Sequence, residues 1–305
     1  MALNTASMKF FCTAKSLGVN FTNFIMIGRQ RLSRDILTMN RVFRILGIDQ
    51  DAEELHANNE FGESFFSSLG AERVDSLDYS NYEGATIVHD LNSPIPEALK
   101  EKYSAVYDGG SLEHVFDVPT AIKNCMEMVQ VGGHFLQITV ANNFMGHGFW
   151  QFSPDLIFRI FSKENGFEIE HVFLHEAVRG GDWVSVADPR ILGKRVELCN
   201  RHPTYIITIA RRISDVPIFS SPPLQSDYES QWKGSDRQES ERPPSDKKAT
   251  TAEKIDQMQT REIIRERNRM RTEKKRNPFG QDCYQLLVEQ DLLRGKLSTQ
   301  VPESP

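Results

Sequence analysis

Residues 104–115 read SAVYDGGSLEHV, and the fold turns on how that stretch is understood. The apolar run 105–107 (AVY) is short and continuous, and Asp108, Gly109 and Gly110 follow it directly. Such a run reads as a strand buried on both faces, ending in a turn, because an amphipathic helix would space its apolar residues three and four apart. Outward from it, further runs repeat the pattern at 23–27 (NFIMI), 73–77 (RVDSL), 85–88 (ATIV), 134–140 (HFLQITV), 168–174 (EIEHVFL) and 204–210 (TYIITIA). Helix-favouring stretches separate several of them, at 33–46, around 61–69, at 118–129 and at 153–165. The last opens Ser153-Pro154-Asp155, an N-cap followed by proline at the first helical position. This alternation predicts a parallel sheet with helices on both faces, and the final two strands, with no strong helix between them, predict an antiparallel pair.

Residues at the strand ends carry a resemblance. Leu77-Asp78-Tyr79-Ser80 closes the second strand, and His89-Asp90-Leu91-Asn92 follows the third. Residues 104–115 supply the most specific match, a LEHV stretch after the fourth strand, and Gly132-Gly133 precede the fifth. From Phe21 to about Arg212 the chain resembles the class I S-adenosylmethionine (SAM)-dependent methyltransferases. The resemblance implies a doubly wound, mostly parallel, seven-stranded Rossmann-like α/β sheet with an antiparallel last strand. It implies SAM as cofactor, with Asp78 on the ribose, Asp90 on the adenine side, and Gly28, Gly109 and Gly110 against the methionine part. The first loop departs from the family's GxGxG: it reads Ile27-Gly28-Arg29-Gln30-Arg31-Leu32, so Gln30 and Leu32 replace two glycines. The long gap between the first strand and Asp78 implies an extra helical insert around 47–70.

Methyl transfer asks mainly for in-line positioning of a nucleophile, sometimes with a base to take its proton. Candidates lie in the loops after strands four and five, where doubly wound sheets place their ligands. His114 follows the fourth strand beside Glu113, where capping of the next helix is an expected role for the pair; a few members of the resembled family use a Glu-His pair here for metal, but no second His-rich motif accompanies this one, so no metal is expected. The loop 141–152 (ANNFMGHGFWQF) is dense in aromatics, amides and glycines, which suits a pocket wall. His147 is its candidate base, and Asn142, Asn143 and Trp150 are its candidate substrate contacts. The RGGDW stretch at 179–183 reads as a glycine-permitted turn.

Composition bounds the rest. The net charge is −6, and residues 214–305 hold 16 basic and 16 acidic residues, so the whole acidic excess lies in the first 213. An acidic body gives no reason to expect a nucleic-acid partner. Cys12, Cys125, Cys199 and Cys283 form no CxxC pair, which fits reduced thiols and a cytoplasmic protein. No run of about 18 apolar residues predicts a membrane span. GxxxxGK[ST], GxSxG, HExxH and GxGxxG are all absent. The expected organisation is a methyltransferase-like domain over 1–213, a disordered linker rich in Ser, Pro and charge over 214–251, and a charged helical tail over 252–305. Residues 252–276 hold 9 basic and 5 acidic residues, either a solvated helix or an arm for a protein partner; the segment CYQLLVEQDLL after Pro278 is read as a docking helix. The expected function is methyl transfer to a small-molecule or glycan-type acceptor. Its rivals are a catalytically degenerate fold serving as a binding or scaffolding module, and another nucleotide-binding enzyme of the doubly wound class.

Overall fold

The computed structural model describes residues 2–57, 60–178, 180–228 and 284–297. Its main sheet has nine strands in the order β11 (Tyr284–Leu286), β9 (Trp183–Val186), β8 (Phe167–Glu176), β10 (Thr204–Arg212), β7 (Val129–Asn142), β6 (Tyr103–Asp108), β2 (Asn23–Ile27), β4 (Arg73–Asp78) and β5 (Ile87–Val88). The parallel half comprises β2, β4, β5, β6 and β7. Strand β10 inserts antiparallel between β7 and β8. The expected parallel strands and the antiparallel pair are present, but no helix joins β4 to β5, and only a 3-10 turn (Glu97–Leu99) lies between β5 and β6. Two further strands extend the β8 edge, β9 and β11, both pairing antiparallel. The glycine-permitted turn around Gly180–Gly181 is therefore the bend of a β8–β9 hairpin.

Alternation along β2 shows why its run is continuously apolar. Ile25 and Ile27 face one core with helices α5 (Val118–Met128) and α6 (Pro154–Ile160), whereas Phe24 and Met26 face another. That second core is covered by α1 (Thr5–Ser16), α2 (Ile36–Leu46) and α4 (Glu63–Ser68), with α3 (Ala52–Ala57) beside them. The insert expected around 47–70 is α3 and α4. The Gly132-Gly133 pair lies inside β7 rather than ahead of it: a Cβ on Gly133 would stand 2.8 Å from the Ser104 carbonyl oxygen, so the β6 backbone passes too close for a side chain.

Helix α1 is absent from the sequence-based expectation, and its burial explains why. Asn4 caps it, accepting from the Ser7 N–H at 3.1 Å, but Met8, Phe10, Phe11, Cys12 and Ala14 are all buried and wrap around more than one face. An amphipathic stripe is missing because the helix is enclosed, with the sheet on one side and other helices on the other. Phe11 is the hub of its contacts, with ring centroids 4.7 Å from Tyr107 and 4.8 Å from Phe66, both edge-on.

The chain also stays on the body beyond residue 213. Ile218 is buried, and the Ser226 N–H donates to Asp155 at 3.1 Å. The segment expected as a docking helix divides: β11 adds to the sheet edge, and only Glu289–Leu293 is helical (α8, the short α7 being Pro189–Leu192). Leu292 and Leu293 are buried against α1, and the Leu293 carbonyl accepts from Ser16 Oγ at 2.9 Å. Most of the expected linker and the charged helix over 252–276, with its prospective protein partner, lie outside the described residues. Among the described residues no helix is long and apolar enough to cross a membrane.

Truncating the aromatic hub tests this packing. Phe11→Ala is expected to lower the unfolding free energy by about 3–5 kcal/mol, read by urea denaturation; a loss below about 1 kcal/mol would mean that α1 is not an integral layer of the core.

Candidate functional site

A cleft of about 440 Å³ opens at the carboxyl ends of β2, β4, β5 and β6, where a doubly wound sheet places its ligands. Three larger clefts, of about 520, 570 and 850 Å³, lie elsewhere on the surface. The first lies along β8 and β9, the second between α6 and residues 194–197 and 223–227, and the third between residues 49–55 and α4, and none is reached by a strand end of the parallel half. Size alone does not make them the better candidates, because the smaller cleft gathers the ends of β2, β4, β5 and β6.

The floor of this cleft starts at Gly28. Its φ is +72°, and an added Cβ would lie 2.4 Å from Ser111 Oγ, so both conformation and space require glycine. Ser111 Oγ in turn donates to the Ile27 carbonyl at 2.8 Å, joining the first loop to the turn after β6. Gln30 is 1% exposed and lines the cleft; its Nε2 donates to the Gly28 carbonyl at 3.3 Å, and its Oε1 is buried without a partner among the described residues. Leu32, at the other departed position, leaves the cleft altogether. It belongs to β3 (Arg31–Leu32), which pairs with β1 (Ala2–Leu3) and buries Leu32 in the α1 core. Arg29 is held at the rim: it stacks 3.9 Å over Phe61, donates to Glu63 at 2.6 Å, and donates to the Glu83 carbonyl at 2.6 Å.

Asp108, fully buried at the end of β6, organises the next turn. One carboxylate oxygen accepts from the N–H groups of Gly110, Ser111 and Leu112 at 3.2, 2.8 and 3.3 Å, and the other accepts from Gln137 Nε2 at 2.9 Å. Burial pushes its carboxyl above the ordinary carboxylate range, and these hydrogen bonds oppose that shift. Gly110, with φ +98°, lines the cleft, but Gly109 does not. The free side of Gly109 is taken by the Tyr107 ring, whose hydroxyl would stand 2.8 Å from an added Cβ, so the expected contact of Gly109 with a methionine part is replaced by packing.

The turn then presents Glu113 and His114. Capping of α5 falls to Asp117, which accepts from the Thr120 N–H at 3.3 Å, so Glu113 and His114 are not the caps expected from the sequence. Glu113 is fully buried: Oε2 accepts from Thr139 Oγ1 at 2.9 Å, and Oε1 has no hydrogen-bond partner among the described residues. Burial, reinforced by Asp108, pushes its carboxyl up to about 8. His147 comes from the loop after β7, with Nε2 buried, unpartnered among the described residues, and 3.7 Å from Glu113 Oε1. The Glu113 carbonyl holds that loop by accepting from the Phe149 N–H at 2.7 Å, and a Cβ on Gly148 would strike the same oxygen at 2.7 Å. The His114 ring lies 5.1 Å from the His147 ring; burial, then His147, hold its pKa below the ordinary value. One ligand atom from each of Glu113, His114 and His147 lies within 4.8 Å of the others, so these three could hold a metal ion.

The remaining expected contacts divide sharply. Asp78, at the end of β4, lines the cleft, and its carboxylate has no partner among the described residues. Asp90 also lines it, exposed, with Oδ1 accepting from the Asn92 N–H at 3.0 Å and from Asn92 Nδ2 at 2.7 Å, which lower its pKa. Asn142 and Asn143 point their amides elsewhere: both donate to Asn200 Oδ1, at 2.9 and 2.8 Å, and Asn143 also donates to the His202 carbonyl at 2.9 Å. They tie the loop after β7 to the start of β10, and neither lines the cleft. Trp150 donates its indole N–H to the Val115 carbonyl at 3.0 Å and leaves its ring part-exposed near Phe116 and Phe149. Gln30, Ser111 and Asp108 were not foreseen as site residues; the conspicuous signal was the glycine-to-glutamine departure at Gln30.

No protein-family model matches this chain, and no curated protein does. Among solved structures it is similar to a candidate methyltransferase from Bacillus halodurans, at 11% identity over 69% of this chain and 99% of that one, with a TM-score of 0.39. It is also similar to the methyltransferase CalH in complex with SAH, at 14% identity over 67% of this chain and 55% of that one, with a TM-score of 0.36. A third is the branched-chain polyamine synthase from Thermus thermophilus in complex with N4-aminopropylspermidine and 5′-methylthioadenosine, at 15% identity over 73% and 60%, with a TM-score of 0.35. This chain spans little more than half the length of the last two. At such identities and TM-scores the likeness adds nothing to the strand order itself, which is that of a doubly wound, mostly parallel α/β sheet with an inserted antiparallel strand.

Glu113 makes stability depend on pH. Its folded carboxyl keeps a proton up to about pH 8, whereas the unfolded chain releases it near the ordinary glutamate value, so stability falls as pH rises through that window. With chelator present, Glu113→Gln is expected to match the wild type near pH 4.5 and to exceed it by about 2 kcal/mol at pH 8.5, the order of cost for a buried charge with one hydrogen bond. Parallel denaturation curves at the two pH values check this.

Proposed function

We propose that the cleft binds SAM and that the chain is a SAM-dependent methyltransferase acting on a small-molecule or glycan-type acceptor. The observation that carries the reading is the unpartnered Asp78 carboxylate at the end of β4, in one cleft with the positive-φ backbone of Gly28 and Gly110. These residues fit the cofactor. Asp78 accepts from two ribose hydroxyls, as an acidic residue does at this point of dinucleotide folds. Asp90 keeps a carboxylate oxygen for the adenine side, and Leu77, Leu91 and Val115 give the adjacent wall its apolar character. Gly28 and Gly110 let backbone approach the methionine part, and the orphaned Gln30 Oε1 accepts from its ammonium group. When bound, SAM supplies a methyl group already activated by its sulfonium.

The acceptor side lies across the cleft, at His114 and His147. An acceptor O–H or N–H loses its proton as the new bond to carbon forms and the sulfur–carbon bond breaks, and these imidazoles are placed to receive or polarise it. Phe116 and Phe149, 73% and 68% exposed with centroids 6.0 Å apart, stand with Trp150 beside them. Exposed rings of this kind suit a flat apolar or sugar face. A binding or scaffolding module is the second reading, favoured by one observation: Gln30 places a buried side chain in the loop where a methyltransferase keeps glycine.

Titration calorimetry of the full chain with S-adenosylhomocysteine decides between them. Micromolar binding is expected, weakened at least 10-fold in Asp78→Ala through loss of charge-assisted hydrogen bonds. No binding at millimolar ligand would overturn the methyltransferase reading and leave the binding module.

A further inference from the structure

We propose that Glu113, His114 and His147 hold one divalent transition-metal cation on the acceptor side of the cleft. The position of the site follows from side-chain geometry alone; its use in catalysis rests on the methyltransferase reading above.

Three observations converge on it. First, Glu113 Oε1 and His147 Nε2 face one another at 3.7 Å, both buried and neither hydrogen-bonded among the described residues. Two ligands bound at about 2.0–2.2 Å to a common cation stand roughly 3–3.5 Å apart, so small movements bring this pair into ligation. Second, the carboxylate is already oriented, since Thr139 Oγ1 donates to its other oxygen at 2.9 Å. Such an outer contact commonly fixes a metal-binding carboxylate. Third, the two ligand-bearing segments are locked to one another. The Glu113 carbonyl accepts from the Phe149 N–H, and Gly148 packs against that same carbonyl, which sets His147 over Glu113. His114, on the same short turn as Glu113, completes the group within 4.8 Å.

The donor set chooses the ion. Two imidazoles and one carboxylate suit zinc, manganese or iron(II), whereas magnesium and calcium prefer oxygen. Three protein ligands leave open positions, and His114 and His147 are reached by solvent from the cleft. An acceptor hydroxyl occupying such a position is polarised and gives its proton to water more readily, so with the cation bound His114 and His147 act through it rather than as direct proton acceptors. The cluster thereby selects hydroxyl-bearing acceptors, sugars and phenols among them.

The test uses the full chain, stripped with EDTA and titrated with Zn²⁺ and separately with Mn²⁺ by calorimetry, with bound metal counted by elemental analysis. One cation per chain is expected. His147→Ala and Glu113→Gln are each expected to weaken it at least 10-fold, and Thr139→Val, which removes only the orienting hydroxyl, about 10-fold. The wild type binding no cation, or His147→Ala and Glu113→Gln both binding it as the wild type does, overturns the proposal. His147 sits on a half-exposed loop and Glu113→Gln keeps the side-chain shape, so at least one variant tests the site in a folded chain. S-adenosylhomocysteine binding is measured on the same stripped protein. Nucleoside binding without cation binding sinks the cation site alone, and cation binding without nucleoside binding sinks the cofactor reading while leaving the cation site standing.

Discussion

One buried carboxylate holds the site together. Asp108 sits at the end of β6, the strand between β2 and β7, and ends three backbone N–H groups and one amide side chain on its two oxygens. A buried charge is tolerated only when such bonds replace its water. Every cleft element on that side follows from the turn it closes. Gly110 reaches positive φ there, Ser111 is aimed back at the Ile27 carbonyl, and the chain exits so that Glu113 points inward and His114 toward solvent. Gln137 carries the same constraint to β7, whose outgoing loop brings His147 over Glu113.

Tyr107 ties this site to the fold. Its side chain lies on the opposite face of the sheet from Val106, in the aromatic core of α1, and it is why Gly109 must lack a side chain. Phe11 packs edge-on against its ring, and its hydroxyl meets Ser7 of the same helix. Helix α1 is further closed by α8, whose Leu293 carbonyl accepts from Ser16. The two ends of the described chain thus pack together on the face that supports the turn after β6. A change in that packing reaches the site through one ring, because interiors at crystal-like density transmit displacement rather than absorb it.

What was legible in the sequence follows the same physics. Strand β2 was read to its ends, because burial on both faces writes an unbroken apolar run with polar flanks. The placement of Asp78 and Asp90 at the cleft was legible because strand ends are local features. Helix α1 was not, since enclosure on all sides removes the periodicity that marks a helix. The strand β11 was read as helix because three residues carry no period of their own; the edge of β9 decides their pairing. The loop after β7 stood out by composition, but of its candidates only His147 lines the cleft, and its asparagines serve Asn200, 57 and 58 residues away. The pairing of Glu113 with His147 is likewise tertiary: nothing in either local sequence states that a carbonyl of one segment will hold the other.

The first loop remains the point where this chain parts from the glycine-rich pattern, and the two departures have different consequences. Leu32 is resolved structurally, because β3 pairs with β1 and turns its side chain into the α1 core, away from the cleft. Gln30 is not resolved in the same way. Its amide nitrogen is satisfied by the Gly28 carbonyl, but its oxygen is buried and unpaired at the cleft wall. An orphaned acceptor of this kind costs about 1–3 kcal/mol until a donor reaches it. A ligand with a donor at that point regains this energy on binding, and one without it leaves the cost in place. On the cofactor reading proposed above, the side chain that departs furthest from the glycine-rich pattern favours a ligand that carries a cation or an N–H where glycine would have offered only space.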